Sequence, residues 1–308
     1  MPIPWCTTVT SAGTERRPRV VALGGGHGLA VALRAVRRYA GDITAVVSVA
    51  DDGGSSGRLR QALDVPAPGD LRRCLGALAD ASGPWPEAFE HRFAGGELAG
   101  HALGNLVLVG LAETLGSMTA ALAEAGRLLG AVGVVLPATE VPVTLAADIG
   151  DRRVVGQVAV ARAGAAATLA GVRLDPPDAE PPEAVPAAIA AADQVVIAPG
   201  SLFTSVLAVL AVPAIGAAVT AAPGRVIVVG NLAVEAETTG LGAADHIRRV
   251  AAAIGRVDVV LGDPDAALPV DEAAALEFGA EVVMGPLAGA DGRTHDPERL
   301  ARALAGLL

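Results

Sequence analysis

The sequence predicts a Rossmann-like α/β fold, a mostly parallel sheet flanked by helices, with a small β-rich insertion. Three observations carry this. The apolar run Arg19-Val20-Val21-Ala22-Leu23 passes at once into Gly24-Gly25-Gly26-His27-Gly28. Apolar residues then recur at helical spacing at Leu29, Ala32, Leu33 and Val36, with Arg34, Arg37 and Arg38 off that face. A second strand pattern, Ile43 to Val49, follows and ends on acids and glycines. Strand, glycine turn, helix and strand within about thirty residues form a βαβ unit, whose crossover makes the strands parallel.

Beyond this unit the middle of the chain is helical, over Asp70 to Ala79, Leu103 to Leu115 and Met118 to Leu129. Residues 132–175 change character, with apolar runs at Val134 to Leu136, Val143 to Ile149, Val154 to Val160 and Val172 to Leu174. Gly150-Asp151 fits a hairpin turn between the second and third of these. This stretch reads as an insertion within one domain of residues 18–308, followed by a Pro-rich loop from Asp175 to Pro186. The α/β rhythm then resumes: strands at Gln194 to Ala198, Arg225 to Val229, Val257 to Leu261 and Glu281 to Met284, helices at Leu202 to Leu210, Ala243 to Ile254 and Pro297 to Leu307. Residues 1–17 lack periodicity and read as a flexible tail.

Composition narrows the function classes. With 52% hydrophobic and 18% charged residues, the 308-residue chain has ample material for a core and does not resemble a disordered protein. A net charge of -10 repels nucleic acid and anionic lipid, so neither is an expected partner. Only Cys6 and Cys74 occur, without zinc-type spacing, which argues against a metal-ribbon or disulfide framework. The most membrane-like run, Val206 to Val219, is interrupted by Pro213 and Gly216 and reads as a buried helix followed by a turn. No signal-peptide pattern precedes the first strand, so a cytoplasmic location is expected.

Candidate chemistry gathers at strand ends, because ligands of open parallel sheets bind beyond the carboxyl ends of the strands. Gly24, Gly25, Gly26, His27 and Gly28 suit a phosphate cradle, where glycines admit close backbone approach and helix-start amides donate. The spacing is not the dinucleotide fingerprint, since its third glycine would fall on Leu29, and a P-loop's Lys-Ser/Thr is lacking. Asp51 and Asp52, followed by Gly53, Ser55 and Arg58, suggest one acid for ribose or sugar hydroxyls and one holding Mg²⁺ against phosphate. The alternative, an acidic helix cap, accounts for one acid more readily than for both. Arg58 and Arg72 are candidate phosphate partners, whereas Arg60 and Arg73 read as solvated helix residues. His101 and Asn105, four apart, share a helical face and serve equally well as a ligand pair or as a core-satisfying pair. Gly200 and Ser201, with Thr204 one turn on, suggest a second anion-binding helix start, and Gly230-Asn231 ends another strand. His27 and His295 are lone candidates for acid–base work.

These motifs together resemble the YvcK family of gluconeogenesis factors, within the superfamily of the CofD 2-phospho-L-lactate transferases. The resemblance is carried by Gly24 to Leu29, Val49-Ala50-Asp51-Asp52-Gly53-Gly54-Ser55-Ser56-Gly57-Arg58-Leu59-Arg60, Pro68-Gly69-Asp70-Leu71-Arg72, His101 to Asn105, Leu136-Pro137-Ala138-Thr139, Pro199 to Ser205 and Asp245-His246. It implies a cytoplasmic bacterial protein that binds UDP-N-acetylglucosamine and directs carbon between gluconeogenesis and cell-wall precursors, with effects on cell shape. It further implies no obligatory cofactor beyond Mg²⁺ accompanying the nucleotide. As protein partners it points to a cell-wall-precursor enzyme and to a second copy of the chain. Carried over by motif, Gly24 to Gly28 and Gly200-Ser201 form the phosphate cradle, while Asp51, Asp52, Asn105 and Asn231 face the nucleotide or sugar. The alternative is a Mg-dependent CofD-type phospho-group transferase.

The sequence departs from the family at His27, where Thr is usual, and at Phe203, where Tyr is usual. Residues Asn231 to Thr238 run one short of the family's Gln-Pro-Gly-Glu-Thr pattern. A C-terminal tyrosine is missing, Tyr39 being the single tyrosine, and Thr294 is inserted in the family's Arg-His-Asp.

Overall fold

The computed structural model describes residues 16–308. Cys6 and all of the expected tail except Arg16 and Arg17 lie outside them. The short β-branched runs form strands because both faces of the sheet are covered, so each strand is apolar throughout. Val20–Leu23 and Val195–Ile197, for example, are at most 2% exposed.

The sequence lays down β1 (Arg19–Gly24), α1 (Gly26–Val36), β2 (Asp42–Val47), α2 (Gly54–Leu63), α3 (Pro68–Leu78), α4 (Trp85–Glu90), α5 (Leu103–Leu115) and α6 (Met118–Leu128). Next come β3 (Val134–Pro137), β4 (Thr144–Ile149), β5 (Arg152–Val155), α7 (Gln157–Ala166) and β6 (Val172–Asp175). The final third holds α8 (Ala184–Ala191), β7 (Gln194–Ile197), α9 (Leu207–Leu210), α10 (Pro213–Ala221), β8 (Arg225–Val229) and α11 (Ala243–Ile254). It closes with β9 (Val259–Gly262), α12 (Glu272–Leu276), β10 (Glu281–Met284) and α13 (Pro297–Ala305).

Seven strands build one sheet in the order β10-β9-β8-β7-β1-β2-β3, and every neighbouring pair is parallel. From β1 the chain winds outward through β2 and β3, and from β7 it winds the opposite way to β10. The order therefore reverses between β1 and β7, which is where an open parallel sheet leaves a crevice at its carboxyl edge. A second, antiparallel sheet, β5-β4-β6, forms the insertion.

Several local expectations change. Val134–Pro137 pairs with β2 and completes the main sheet, so the insertion proper starts later than residue 132. The strand expected over Val154 to Val160 stops at Val155: Gly156 turns at φ +102° and α7 begins. A run of four to eight apolar residues does not by itself separate strand from buried helix. The Pro-rich loop gives way to α8 at Ala184, and Pro213, read as an interruption, starts α10, where a first-turn proline loses no hydrogen bond. The expected helix over Leu202 to Leu210 opens as a π-helical turn over Leu202–Val206. Together with α10 it makes an apolar pair bent by 76°, and among the described residues no single helix is long and apolar enough to cross a membrane.

Candidate functional site

The crevice between β1 and β7 is walled by the loops that leave these strands. At the end of β1, Gly25 is the N-cap of α1, and Gly26, at φ +61°, is its first residue. A Cβ on Gly28 would lie 1.9 Å from the Pro199 carbonyl oxygen, so only glycine lets the start of α1 rest on the loop after β7. From that loop, the Gly200 amide donates to Asn231 Oδ1 at 2.8 Å, and Asn231 Nδ2 donates to the Gly200 carbonyl at 2.9 Å. Asn231, beyond β8, thus clamps the Gly200 turn against α1.

Two connected hollows result. The larger, about 340 Å³, is polar, with Gly25, Gly26, His27, Gly28, Asp51, Asp70, Arg73, Gln157, Gly200, Ser201, Thr204, Ser205 and Glu235 on its walls. The smaller, about 150 Å³, shares His27, Gly28, Gly200 and Glu235 with it. Val31, Pro199, Leu232, Asn231, Arg293, Thr294 and His295 complete its walls.

Internal carboxylates occupy both helix starts. Gly26 donates its amide to Asp70 Oδ2 at 2.7 Å, and Arg73 Nη1 donates to Asp70 Oδ1 at 2.6 Å. Burial pushes the Asp70 carboxyl above the usual carboxylate range; Asp51 adds to this, while Arg73 and the Gly26 amide oppose it. Glu237 accepts the Phe203 amide at 2.8 Å and the Thr204 hydroxyl at 2.7 Å, and burial raises its pKa against those hydrogen bonds. His27 is exposed in the cleft. Partial burial and Arg73 lower its pKa, with Asp70 acting the other way.

The structure separates the expected site residues into two groups. Gly25, Gly26, His27, Gly28, Asp51, Asp70, Gly200, Ser201, Thr204 and Asn231 converge on the cleft. Gly24 is buried at the end of β1. The adjacent acids diverge: Asp51 Oδ1 accepts the Gly53 amide at 2.9 Å beside the cleft, whereas Asp52 Oδ1 accepts the Val158 amide at 2.9 Å. Asp52 therefore caps α7 and lies off this cleft, on the wall of a separate hollow with Arg58 and Arg60. Asp51 closes a tight turn just ahead of α2, and only Asp52 caps a helix amide.

Ser55, His101 and Asn105 are likewise off the cleft. Ser55 Oγ lies 3.0 Å from His101 Nδ1 and accepts Asn105 Nδ2 at 3.0 Å, a buried cluster that ties α2 to α5. Burial, Arg58 and Arg92 all lower the His101 pKa. Gly53 is the N-cap of α2, and Arg58 reaches the Ala99 carbonyl at 2.8 Å on an exposed face.

The two arginines of α3 exchange roles. Arg72 is 97% buried in an ion pair with Glu90, and Arg73 stands on the cleft wall. Helical geometry explains it: Arg73 lies one turn beyond Asp70 on the same face, and Arg72 projects away. That spacing was a readable signal. Ser205, Glu235 and Arg293 lie in stretches compared with the family but carried no assigned role, and Gln157 had no signal, because long-range topology brings them in.

Mg²⁺ with a nucleotide needs only one or two carboxylates besides phosphate and water. Asp51, on the cleft wall, fits that demand; both Asp70 oxygens are taken, by the Gly26 amide and Arg73, and Asp52 lies off this cleft. Among the described residues no group of three or more His, Cys, Asp or Glu is arranged to hold a metal ion.

A wholly parallel main sheet with its crevice between two glycine-bearing strand ends defines the class, a Rossmann-like α/β protein. The family described as 2-phospho-L-lactate transferase CofD matches residues 20–283, and the chain belongs to that family, among its gluconeogenesis-factor relatives. The protein named Gluconeogenesis factor in Bacillus subtilis (strain 168) is 42% identical over 237 residues, covering 76% of this chain and 74% of its own length. A Mycobacterium tuberculosis (strain H37Rv) relative is 42% identical over 308 residues, covering 94% of this chain and 90% of its own. Among solved structures, a UPF0052-family protein from Bacillus halodurans superposes with a TM-score of 0.88 at 35% identity, over 94% of this chain and 99% of that one.

Proposed function

We propose that the two connected hollows bind a nucleotide-linked amino sugar, UDP-N-acetylglucosamine, and that the protein is a cytoplasmic regulator directing carbon between gluconeogenesis and cell-wall precursors, with effects on cell shape. The observation that carries this is the joining of a polar hollow at the α1 amides to a smaller one walled by Val31, Pro199 and Leu232. The polar hollow suits a diphosphate and sugar, with His27 and Gly28 amides, Arg73 and Asp51 as partners. The smaller suits a flat base, with Arg293 at its edge. The name borne by the relatives supports the metabolic role. A cell-wall-precursor enzyme and a second copy of this chain are the proposed protein partners.

A regulator is the leading reading because the relatives bear the name gluconeogenesis factor, which states a metabolic role and no transfer reaction. The match to the CofD family favours the second reading, a Mg-dependent phospho-group transferase in which Asp51 would hold the metal. Calorimetric titration of the full chain, with Mg²⁺ present, against UDP-N-acetylglucosamine and against a deazaflavin acceptor together with a guanosine-diphosphate-linked phospho-group donor, from which GMP would leave, separates the two. Saturable binding of the UDP-sugar without turnover supports the regulator. No binding of it, with acceptor bound and phosphorylated product formed, overturns that reading.

A further inference from the structure

Resting on the diphosphate reading of the cleft, we infer that Asp70 is an internal stand-in for the ligand's phosphate, held on the α1 amide by Arg73 and exchanged for the diphosphate on binding. The first amides of an α-helix have no partner within the helix, and they are the donors a phosphate seeks. Here one of them is already taken: Asp70 Oδ2 sits 2.7 Å from the Gly26 nitrogen. A Cβ on Gly25 would come within 2.9 Å of that same oxygen, so the glycine keeps room for a carboxylate at the centre of the cradle.

A diphosphate placed on the His27 and Gly28 amides would lie against this carboxylate, with Asp51 and Glu235 on the same walls. Like charges in a partly desolvated hollow repel strongly, so both cannot stay charged at one turn. Arg73 makes the exchange favourable. Its guanidinium now holds Asp70 Oδ1 at 2.6 Å from a position on the cleft wall, and once released it offers a fork of donors to phosphate. The groups facing Asp70 are Arg73 on its own helix, His27 on α1 and Asp51 beyond β2.

The test is calorimetric titration of the full chain, in EDTA, with UDP-N-acetylglucosamine and separately with inorganic pyrophosphate. Wild type, Asp70→Asn and Arg73→Ala are compared, with thermal unfolding of each unliganded protein as a check on folding. Exchange predicts that Asp70→Asn binds both ligands about tenfold tighter, the size of one lost repulsion, and that Arg73→Ala binds both about tenfold more weakly. A purely structural pair would weaken binding in both variants. Asp70→Ser, which removes the same charge with a smaller side chain, should tighten both ligands likewise. That variant carries the test if Asp70→Asn does not fold.

A folded Asp70→Asn or Asp70→Ser with equal or weaker affinity overturns the exchange. Tighter pyrophosphate binding in Asp70→Asn without UDP-sugar binding by any variant keeps the exchange and removes the nucleotide-sugar reading. No binding of either ligand overturns both.

Discussion

The Thr204 hydroxyl donates to Glu237 Oε2 at 2.7 Å, inside a pocket where Thr204 and Glu237 are 6% and 5% exposed. Glu237 thereby closes the helix start that follows β7, with its other oxygen on the Phe203 amide. The contrast with Asp70 is instructive, because Asp70 opens onto the cleft and Glu237 is sealed behind Thr204.

Removing Glu237 leaves the Phe203 amide and the Thr204 hydroxyl buried without an acceptor. Glu237→Ala should therefore cost about 2–4 kcal/mol, and Glu237→Gln, which keeps one carbonyl acceptor, about 1 kcal/mol. Urea unfolding near neutral pH measures both. A loss below about 1 kcal/mol for the alanine variant would mean that water replaces the carboxylate.

The two glycines Gly28 and Gly110 should respond in opposite directions to alanine. At Gly28 the added methyl meets the Pro199 carbonyl at 1.9 Å, so α1 and the β7 loop must part, at a cost of about 2 kcal/mol or more and with weaker UDP-sugar binding. Gly110 sits mid-helix in α5, exposed and with nothing within 4 Å, so alanine there should stabilise by about 0.5–1 kcal/mol. Thermal unfolding of the two variants side by side checks the pair. Equal melting temperatures would contradict the close approach at Gly28.

Asp51 and Asp52 should likewise part company. Asp52→Ala removes the acceptor of the Val158 amide and should cost about 1 kcal/mol of stability, while leaving UDP-N-acetylglucosamine affinity within about threefold. Asp51→Ala removes a cleft acceptor and should weaken that affinity about tenfold, the value of one charge-assisted hydrogen bond. Denaturation and titration of both variants decide it, and the reverse ranking would restore Asp52 to the site.

How much of this was legible in the sequence follows from which interactions are local. The βαβ unit, the glycine turn and the apolar strands around it rest on periodicity and turn chemistry within about thirty residues, and the parallel sheet follows from them. The convergence of the β1 and β7 ends was legible too, since both run into glycine. Direction of side chains was not. Asp51 and Asp52 are neighbours in sequence but bond different segments, and the Val158 amide that captures Asp52 lies 106 residues away, in a stretch whose pattern reads as strand. Arg72 and Arg73 were separable in principle by the turn from Asp70 to Arg73. Glu237 was not, because its partners Phe203 and Thr204 meet it only across the β7–β8 crossover.

His295 supplies a pH dependence with a defined sign. It is 92% buried on the wall of the smaller hollow, and burial lowers its pKa from 6.5 to about 4, against the nearby Gly230 carbonyl and Asp263. Asp263 fixes this wall, accepting the Leu287 and Ala288 amides at 2.6 and 2.8 Å. Between pH 6.5 and about 4 the unfolded chain binds a proton at His295 that the folded chain refuses. The contribution to stability is therefore complete above pH 6.5 and is lost progressively as the pH falls toward about 4. Between about pH 7.5 and 5 the loss from this one group comes to about 2 kcal/mol. His27, His101 and His246 are shifted in the same direction, so wild type alone does not isolate it. His295→Asn does: urea unfolding at the two pH values should show a drop smaller than that of wild type by about 2 kcal/mol. An equal drop in both proteins would place the buried proton-refusing group elsewhere.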